Sequence, residues 1–153
     1  MLSYWERSSF IHHDLIIVGS GLVGLSTALH YQLAHPKKKV AVIERGLFPS
    51  GASTKNAGFV CFGSISELAE NTRTDSQDEL LSLVEKRYKG GLELRQLLGD
   101  QRIDYRPVGG YELDFNGELY ERINTFNDWL KPLFKHPVFS DARDKITAFG
   151  FNQ

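Results

Sequence analysis

Hydrophobic and polar positions at the start of the chain fall into two alternating kinds of segment. After a short lead-in before His12, Leu15-Ile16-Ile17-Val18 is continuously apolar, rich in β-branched residues and bounded by glycine. That is the pattern of a strand buried on both faces of a parallel sheet. Gly19-Ser20-Gly21 turns the chain. From Leu22 to about Ala34, Leu22, Leu25, Leu29 and Leu33 recur at near-helical spacing, with Val23 and Ala28 beside them. His35-Pro36 closes this helix, because the residue before proline avoids the helical region. Val40-Ala41-Val42-Ile43 predicts a second buried strand that ends at Glu44.

The pattern then changes. Arg45 to Gly63 is rich in Gly, Ser and Asn and too polar to be core. Ser76 and Glu79 have capping-box spacing, and Leu80, Leu81, Val84, Tyr88, Leu92 and Leu97 continue one apolar side to about Leu98. Gly90-Gly91 falls inside that helix and is expected to weaken or bend it, at about 1 kcal/mol per glycine relative to alanine. Gly99 is the expected stop. Ile103-Asp104-Tyr105-Arg106 and Gly110 to Phe115 read as two short strands around Pro107-Val108-Gly109. A last helix is expected over Glu118 to Leu130, with Leu119, Ile123, Phe126 and Leu130 on one side. Beyond Pro132 the signal fades, and no repeat or low-complexity tract interrupts the chain.

Composition narrows the function classes. At 153 residues and a formal net charge of -1, the chain has no basic field for nucleic acid or anionic lipid. Lys37, Lys38 and Lys39 after Pro36 read as solvated loop charge. No run approaches the roughly 18 to 20 apolar residues of a membrane span, and the first residues lack the layout of a secretory signal. A lone cysteine, Cys61, forms no intrachain disulfide, which fits a reducing compartment. Together these predict a cytoplasmic protein.

Chemistry concentrates at the first turn. Gly19-Ser20-Gly21-Leu22-Val23-Gly24 is a GxGxxG with a strand before it and a helix opening within it, the context that gives an otherwise weak pattern its meaning. Gly19 permits the tight turn, Gly21 lets a pyrophosphate approach the backbone, and Gly24 lets helix and sheet pack closely. N–H groups of the first helical turn, at the positive end of the helix dipole, would face the phosphates. Glu44, 20 residues after Gly24, stands where an acid reaches ribose hydroxyls and repels a 2′-phosphate, which disfavours NADP. These residues predict a site for the ADP half of a dinucleotide and leave FAD and NAD both open.

The next segment carries a resemblance. Gly19-x-Gly21-x-x-Gly24, then Glu44-Arg45, then Gly51-Ala52-Ser53-Thr54-Lys55-Asn56-Ala57-Gly58 resembles the FAD-dependent amino acid and amine oxidoreductases. These form the D-amino acid oxidase-like superfamily, which includes glycine oxidase, sarcosine oxidase and D-amino acid dehydrogenase. The likeness is close from Asp14 to Gly63 and looser to Phe115.

It implies an α/β fold: a Rossmann-like FAD-binding βαβ domain with a parallel sheet, followed by the beginning of an α+β substrate domain. Residues 1–75 would form the FAD-binding unit with its flavin-contact loop, and 76–153 the start of the second domain. The implied FAD contacts are Gly19, Ser20, Gly21, Leu22, Val23, Gly24, Glu44, Arg45, Ala52, Ser53, Asn56, Ala57 and Gly58. Small residues in the loop suit a flat ring, and Ser53, Thr54 and Asn56 offer hydrogen bonds at low steric cost.

By resemblance, the intact enzyme would oxidise the C–N bond of a small amine or amino acid by hydride transfer to flavin. Its members are considerably longer than this chain and draw their catalytic residues from the later half, so no catalytic residue is assigned. The chain is expected to be the amino-terminal portion of a larger oxidoreductase, inactive alone. Two other readings stay open: a dinucleotide-binding module without turnover, and an NAD-dependent dehydrogenase.

The remaining candidates read more plainly. Cys61, among Phe59, Val60 and Phe62, is expected to be a small buried hydrophobe. His12-His13 has no partner at metal spacing and reads as a surface pair, so no metal site is predicted. Tyr105, Arg106 and Tyr111 read as packing residues of the short strands. Lys55 could face pyrophosphate, flavin or solvent.

Overall fold

The computed structural model describes residues 2–151, in the order helix, strand, helix, strand, then three helices. Packing contacts divide it into two units, one ending at Phe59 and the other beginning at Val60.

The first unit opens on a short helix, α1 (Tyr4–Glu6), capped by the reciprocal bonds of Ser3 and Glu6 and continued by a π-helical turn over Arg7–Ile11. The expected lead-in is therefore helical. Strand β1 (Leu15–Val18) pairs in parallel with β2 (Val40–Ile43), Leu15 opposite Val40 and Val18 opposite Ile43. The Gly19 N–H donates to the Ile43 carbonyl at 2.7 Å and extends the ladder by one bond. Asp14 anchors the other end: its carboxylate accepts from Lys38 Nζ at 2.7 Å and from the Lys39 N–H at 2.9 Å. Helix α2 (Leu22–Ala34) joins the strands, and His35 is its C-cap, immediately before Pro36.

The expectation that both strands are buried is corrected: in β2, Val42 and Ile43 are exposed, and β1 departs from it further. Burial alternates along β1: Leu15 and Ile17 are half-buried, whereas Ile16 is 53% and Val18 86% exposed. A strand is buried on both faces only when a layer packs on each. This sheet has two strands, and α2 is the helix of its own unit that packs against them.

The second unit is helical: α3 (Ile65–Asn71), α4 (Gln77–Leu98) and α5 (Glu118–Leu130). Its core is Ile65, Leu68, Val84, Phe126, Leu130 and Phe134. The rings of Phe62 and Tyr88 meet Phe134 at centroid distances of 5.1 and 4.9 Å. Ser76 and Glu79 form the expected capping box, and Gly99 ends α4. The expected bend at Gly90-Gly91 does not interrupt the helix, which is continuous to Leu98. A β-carbon on Gly91 would stand 2.9 Å from Val60 Cγ1, so close packing offsets the propensity cost there. Ahead of α5, the Asp114 carboxylate accepts from the N–H groups of Gly117, Leu119 and Tyr120. Past α5, where sequence signal faded, the Asn127 side chain bonds both N–H groups of Val138 and Phe139 and the carbonyl of Phe139.

Three further expectations are corrected. Ile103–Arg106 and Gly110–Phe115 are turns and extended backbone, not strands. A strand exists only with a ladder partner, and the described residues offer these segments none. Glu112 instead bonds the Ser66 N–H at 3.2 Å and the Ser66 hydroxyl. Cys61 is exposed rather than buried, because its apolar neighbours Phe59 and Val60 are themselves exposed. None of the described helices is long and apolar enough to cross a membrane.

Candidate functional site

The site grows from the turn between β1 and α2. Gly19 takes φ +101°, a conformation that costs any residue with a β-carbon. Gly21 is the N-cap of α2, and Leu25 N–H bonds back to its carbonyl at 2.9 Å. Gly24 lies against the turn: a β-carbon there would overlap the Gly19 carbonyl oxygen and stand 3.4 Å from Ile17 Cγ2 of β1. Sequence reasoning assigned Gly24 to helix–sheet packing, and that is its place.

A helix leaves its first N–H groups without internal partners. In α2 these belong to Gly21, Leu22, Val23 and Gly24. The Leu22 N–H donates to Ser53 Oγ at 2.9 Å. No protein acceptor among the described residues takes those of Gly21, Val23 and Gly24. Ser53 thus reaches the helix mouth from 31 positions away and occupies one donor of four, leaving the positive end of the helix with three N–H groups that no described residue accepts. A β-carbon on Gly21 would come 2.9 Å from Ser53 Oγ, so glycine there is what allows the hydroxyl in.

Glu44 closes the other side of the turn. Its Oε2 accepts from the Ser20 N–H at 3.0 Å and the Ser20 hydroxyl at 2.9 Å. Its Oε1 accepts from the Arg45 N–H at 3.0 Å and, at 3.4 Å, from the Gly46 N–H. These donors, the Ser20 N–H foremost, hold the carboxyl below its usual range and keep it ionised. Arg45 enters the site through its backbone N–H.

The loop after Glu44 folds on itself. Ala52–Thr54 forms a 3-10 turn, and Thr54 Oγ1 bonds the carbonyls of Pro49 and Gly51. Asn56 Nδ2 donates to the Ser53 carbonyl at 2.8 Å, and its Oδ1 accepts the Gly58 N–H at 2.7 Å. Asn56 is thereby the brace that holds Ser53 in place. Ala52, Ala57 and Gly58 share the loop and are exposed, as is Lys55. The structure therefore brings Ser53 to the helix mouth and Ser20 to Glu44. Sequence reasoning named all four groups but neither pairing, since hydrogen bonds spanning 24 and 31 positions leave no local signal.

A family model described as FAD dependent oxidoreductase (DAO) matches residues 14–145. The chain belongs to this family. The match begins at Asp14, one residue before β1, and takes in the glycine turn, Glu44, the 51–58 loop and the three helices of the second unit. FAD is the expected cofactor of a member of this FAD-dependent family. The gamma-glutamylputrescine oxidoreductase of Escherichia coli (strain K12) is 32% identical over 98 residues, which is 63% of this chain and 22% of that protein. The aligned stretch thus spans about a fifth of that relative's length. No solved structure matches the chain.

A shallow groove of about 660 Å³ lies elsewhere, at the end of α4, with Leu92, Arg95, Asp100 and Arg102 in its wall. Arg95 is committed there: it pairs with Asp100 through two hydrogen bonds and lies 4.1 Å over the Tyr105 ring.

Proposed function

We propose that this chain supplies the FAD-binding part of an oxidoreductase that oxidises the C–N bond of an amine or amino acid. The observation that carries the reading is the α2 mouth, with three N–H groups that no described residue accepts, beside a carboxylate held in its ionised form. Those features fit an adenosine diphosphate. The N–H groups of Gly21, Val23 and Gly24, with the Ser53 hydroxyl, would hold pyrophosphate oxygens, and Glu44 would accept from the ribose. FAD, held there, would supply the two-electron redox chemistry for oxidation of the C–N bond by hydride transfer.

The protein's part is positioning. Gly19 and Gly24 bring backbone donors close to the anion without side chains in the way. Asn56 holds Ser53 at the mouth, and the Ala52, Ala57 and Gly58 stretch provides small residues where a flat ring needs close approach. Leu22 and Arg45 take part through their backbone N–H groups, and Ser20 through its N–H and hydroxyl. We assign the unit that ends at Phe59 to the cofactor and the unit that begins at Val60, earlier than the boundary at 75 expected from sequence, to the beginning of a substrate-binding part. A C–N substrate is favoured by family membership and by the E. coli relative, whose name gives gamma-glutamylputrescine as what it acts on.

The test is spectroscopic. Purified protein should carry flavin absorption, or acquire it on titration with FAD, and Glu44→Ala should bind FAD at least tenfold more weakly, the scale of lost hydrogen bonds to a charged acceptor. A parent protein that stays colourless in excess FAD, or that binds NAD more tightly than FAD, overturns the proposal.

A further inference from the structure

The two oxygens of Glu44 are not equivalent. Oε2 takes two good donors, both from Ser20, at 3.0 Å from its N–H and 2.9 Å from its hydroxyl. Oε1 has one good donor, the Arg45 N–H at 3.0 Å, and one long contact to the Gly46 N–H at 3.4 Å. A carboxylate has about four acceptor sites: both on Oε2 hold short donors, whereas the second on Oε1 holds only the long Gly46 contact, the one an incoming hydroxyl can displace. Three of the four donors are backbone N–H groups that any sequence would supply. The Ser20 hydroxyl is the one side-chain donor to Glu44 among the described residues.

From this asymmetry we propose that Ser20 is a positioning residue for cofactor binding: its hydroxyl anchors Oε2 of Glu44, so that Oε1 is presented as the ribose acceptor. The proposal rests on the reading of Glu44 as the ribose-binding acid. It differs from a direct contact between Ser20 and the cofactor, because Ser20 acts through Glu44. A glutamate side chain has three rotatable bonds, and at a half-buried strand end it would otherwise sample several orientations. Fixing it before binding removes an ordering cost that FAD would otherwise meet. The Ser20 donors also favour the charged form, which is the stronger acceptor for a ribose hydroxyl. The second residue of the GxGxxG thus has a side-chain role that the glycines of the motif cannot supply.

The experiment is FAD titration, by flavin fluorescence quenching, of the parent, Ser20→Ala, Ser20→Thr, Glu44→Ala and the Ser20→Ala/Glu44→Ala double variant. Ser20→Ala should weaken FAD binding about tenfold, the scale of one hydrogen bond to a charged acceptor. Ser20→Thr, which keeps the hydroxyl, should restore most of it. On the Glu44→Ala background, Ser20→Ala should change affinity by less than about twofold, since the residue it acts through is gone. Circular dichroism of each variant checks that the fold is kept.

Ser20→Ala binding FAD as tightly as the parent overturns the proposal. So does an equal loss on both backgrounds, which would make Ser20 a direct ligand or a structural residue. If parent and Glu44→Ala bind FAD alike, the ribose reading of Glu44 fails first. If the parent binds no FAD, the cofactor assignment itself falls.

Discussion

The carbonyl oxygen of Gly19 lies in the space that a β-carbon on residue 24 would fill. The two ends of the glycine motif are therefore pressed together across the β1–α2 turn, with the backbone of one against the bare α-carbon of the other.

Gly24→Ala should accordingly force helix and turn apart. The nearest atoms are backbone and the Ile17 side chain, neither of which moves cheaply, so the cost should reach or exceed the roughly 1–3 kcal/mol usual for overpacking. Urea unfolding measures the loss. FAD affinity should fall with it, because moving the turn moves the three N–H groups of the α2 mouth. An unchanged unfolding midpoint would show that the packing at this crossing is slack.

Acid should act on the first unit partly through Glu44. Its carboxyl titrates below the ordinary value of 4.5, chiefly because of the Ser20 N–H. The folded state therefore prefers the charged form, and the unfolded chain binds the proton more readily. The stabilisation is complete above the ordinary value and is lost as pH falls through the lowered one. Comparing thermal melts of the parent and Glu44→Gln across pH should show a constant difference above about pH 5 that shrinks toward acid. A difference that grows on acidification would reverse the sign of the argument.

Asn127 pins the backbone that follows α5 through three bonds of 2.9 to 3.0 Å, to the Phe139 carbonyl and to the N–H groups of Val138 and Phe139. Asn127→Ala strands those three groups in a half-buried setting where water reaches them in part, and a loss of about 3 kcal/mol is expected, the low end of roughly 1–3 kcal/mol for each unsatisfied group. Hydrogen exchange at Val138 and Phe139 should accelerate. Protection equal to the parent's would mean the bonds are dispensable.

Phe126 is 2% exposed at the centre of the second unit, edge-on to Trp129 at 5.3 Å between ring centroids. Phe126→Ala should cost about 3–5 kcal/mol, most of what a small domain has to spend. Near-UV circular dichroism should show lost aromatic packing even where helix content survives. A sharp, parent-like melt would place the stabilising contacts elsewhere.

How much was legible in the sequence depends on how local the cause is. The βαβ unit was readable because periodicity, glycine and proline act within a few residues: β1, α2 and β2 occupy the segments their patterns marked. The helices over 77–98 and 118–130 were readable for the same reason, down to the Ser76–Glu79 capping box. The segments at 103–106 and 110–115 have strand-like composition, but composition does not supply a neighbour to pair with. Cys61 was misread because its apolar flanks, Phe59 and Val60, are themselves exposed.

The sequence by itself settled which residues turn the chain, open α2 and end β2, since these follow from backbone sterics and side-chain spacing along a short stretch. Only tertiary structure decided that Ser53 enters the helix mouth, that Ser20 grips Glu44, and that β1 shows one face to solvent. Those outcomes depend on which distant groups meet and on how many layers cover the sheet, and the energies that select them are summed over contacts that no local pattern encodes.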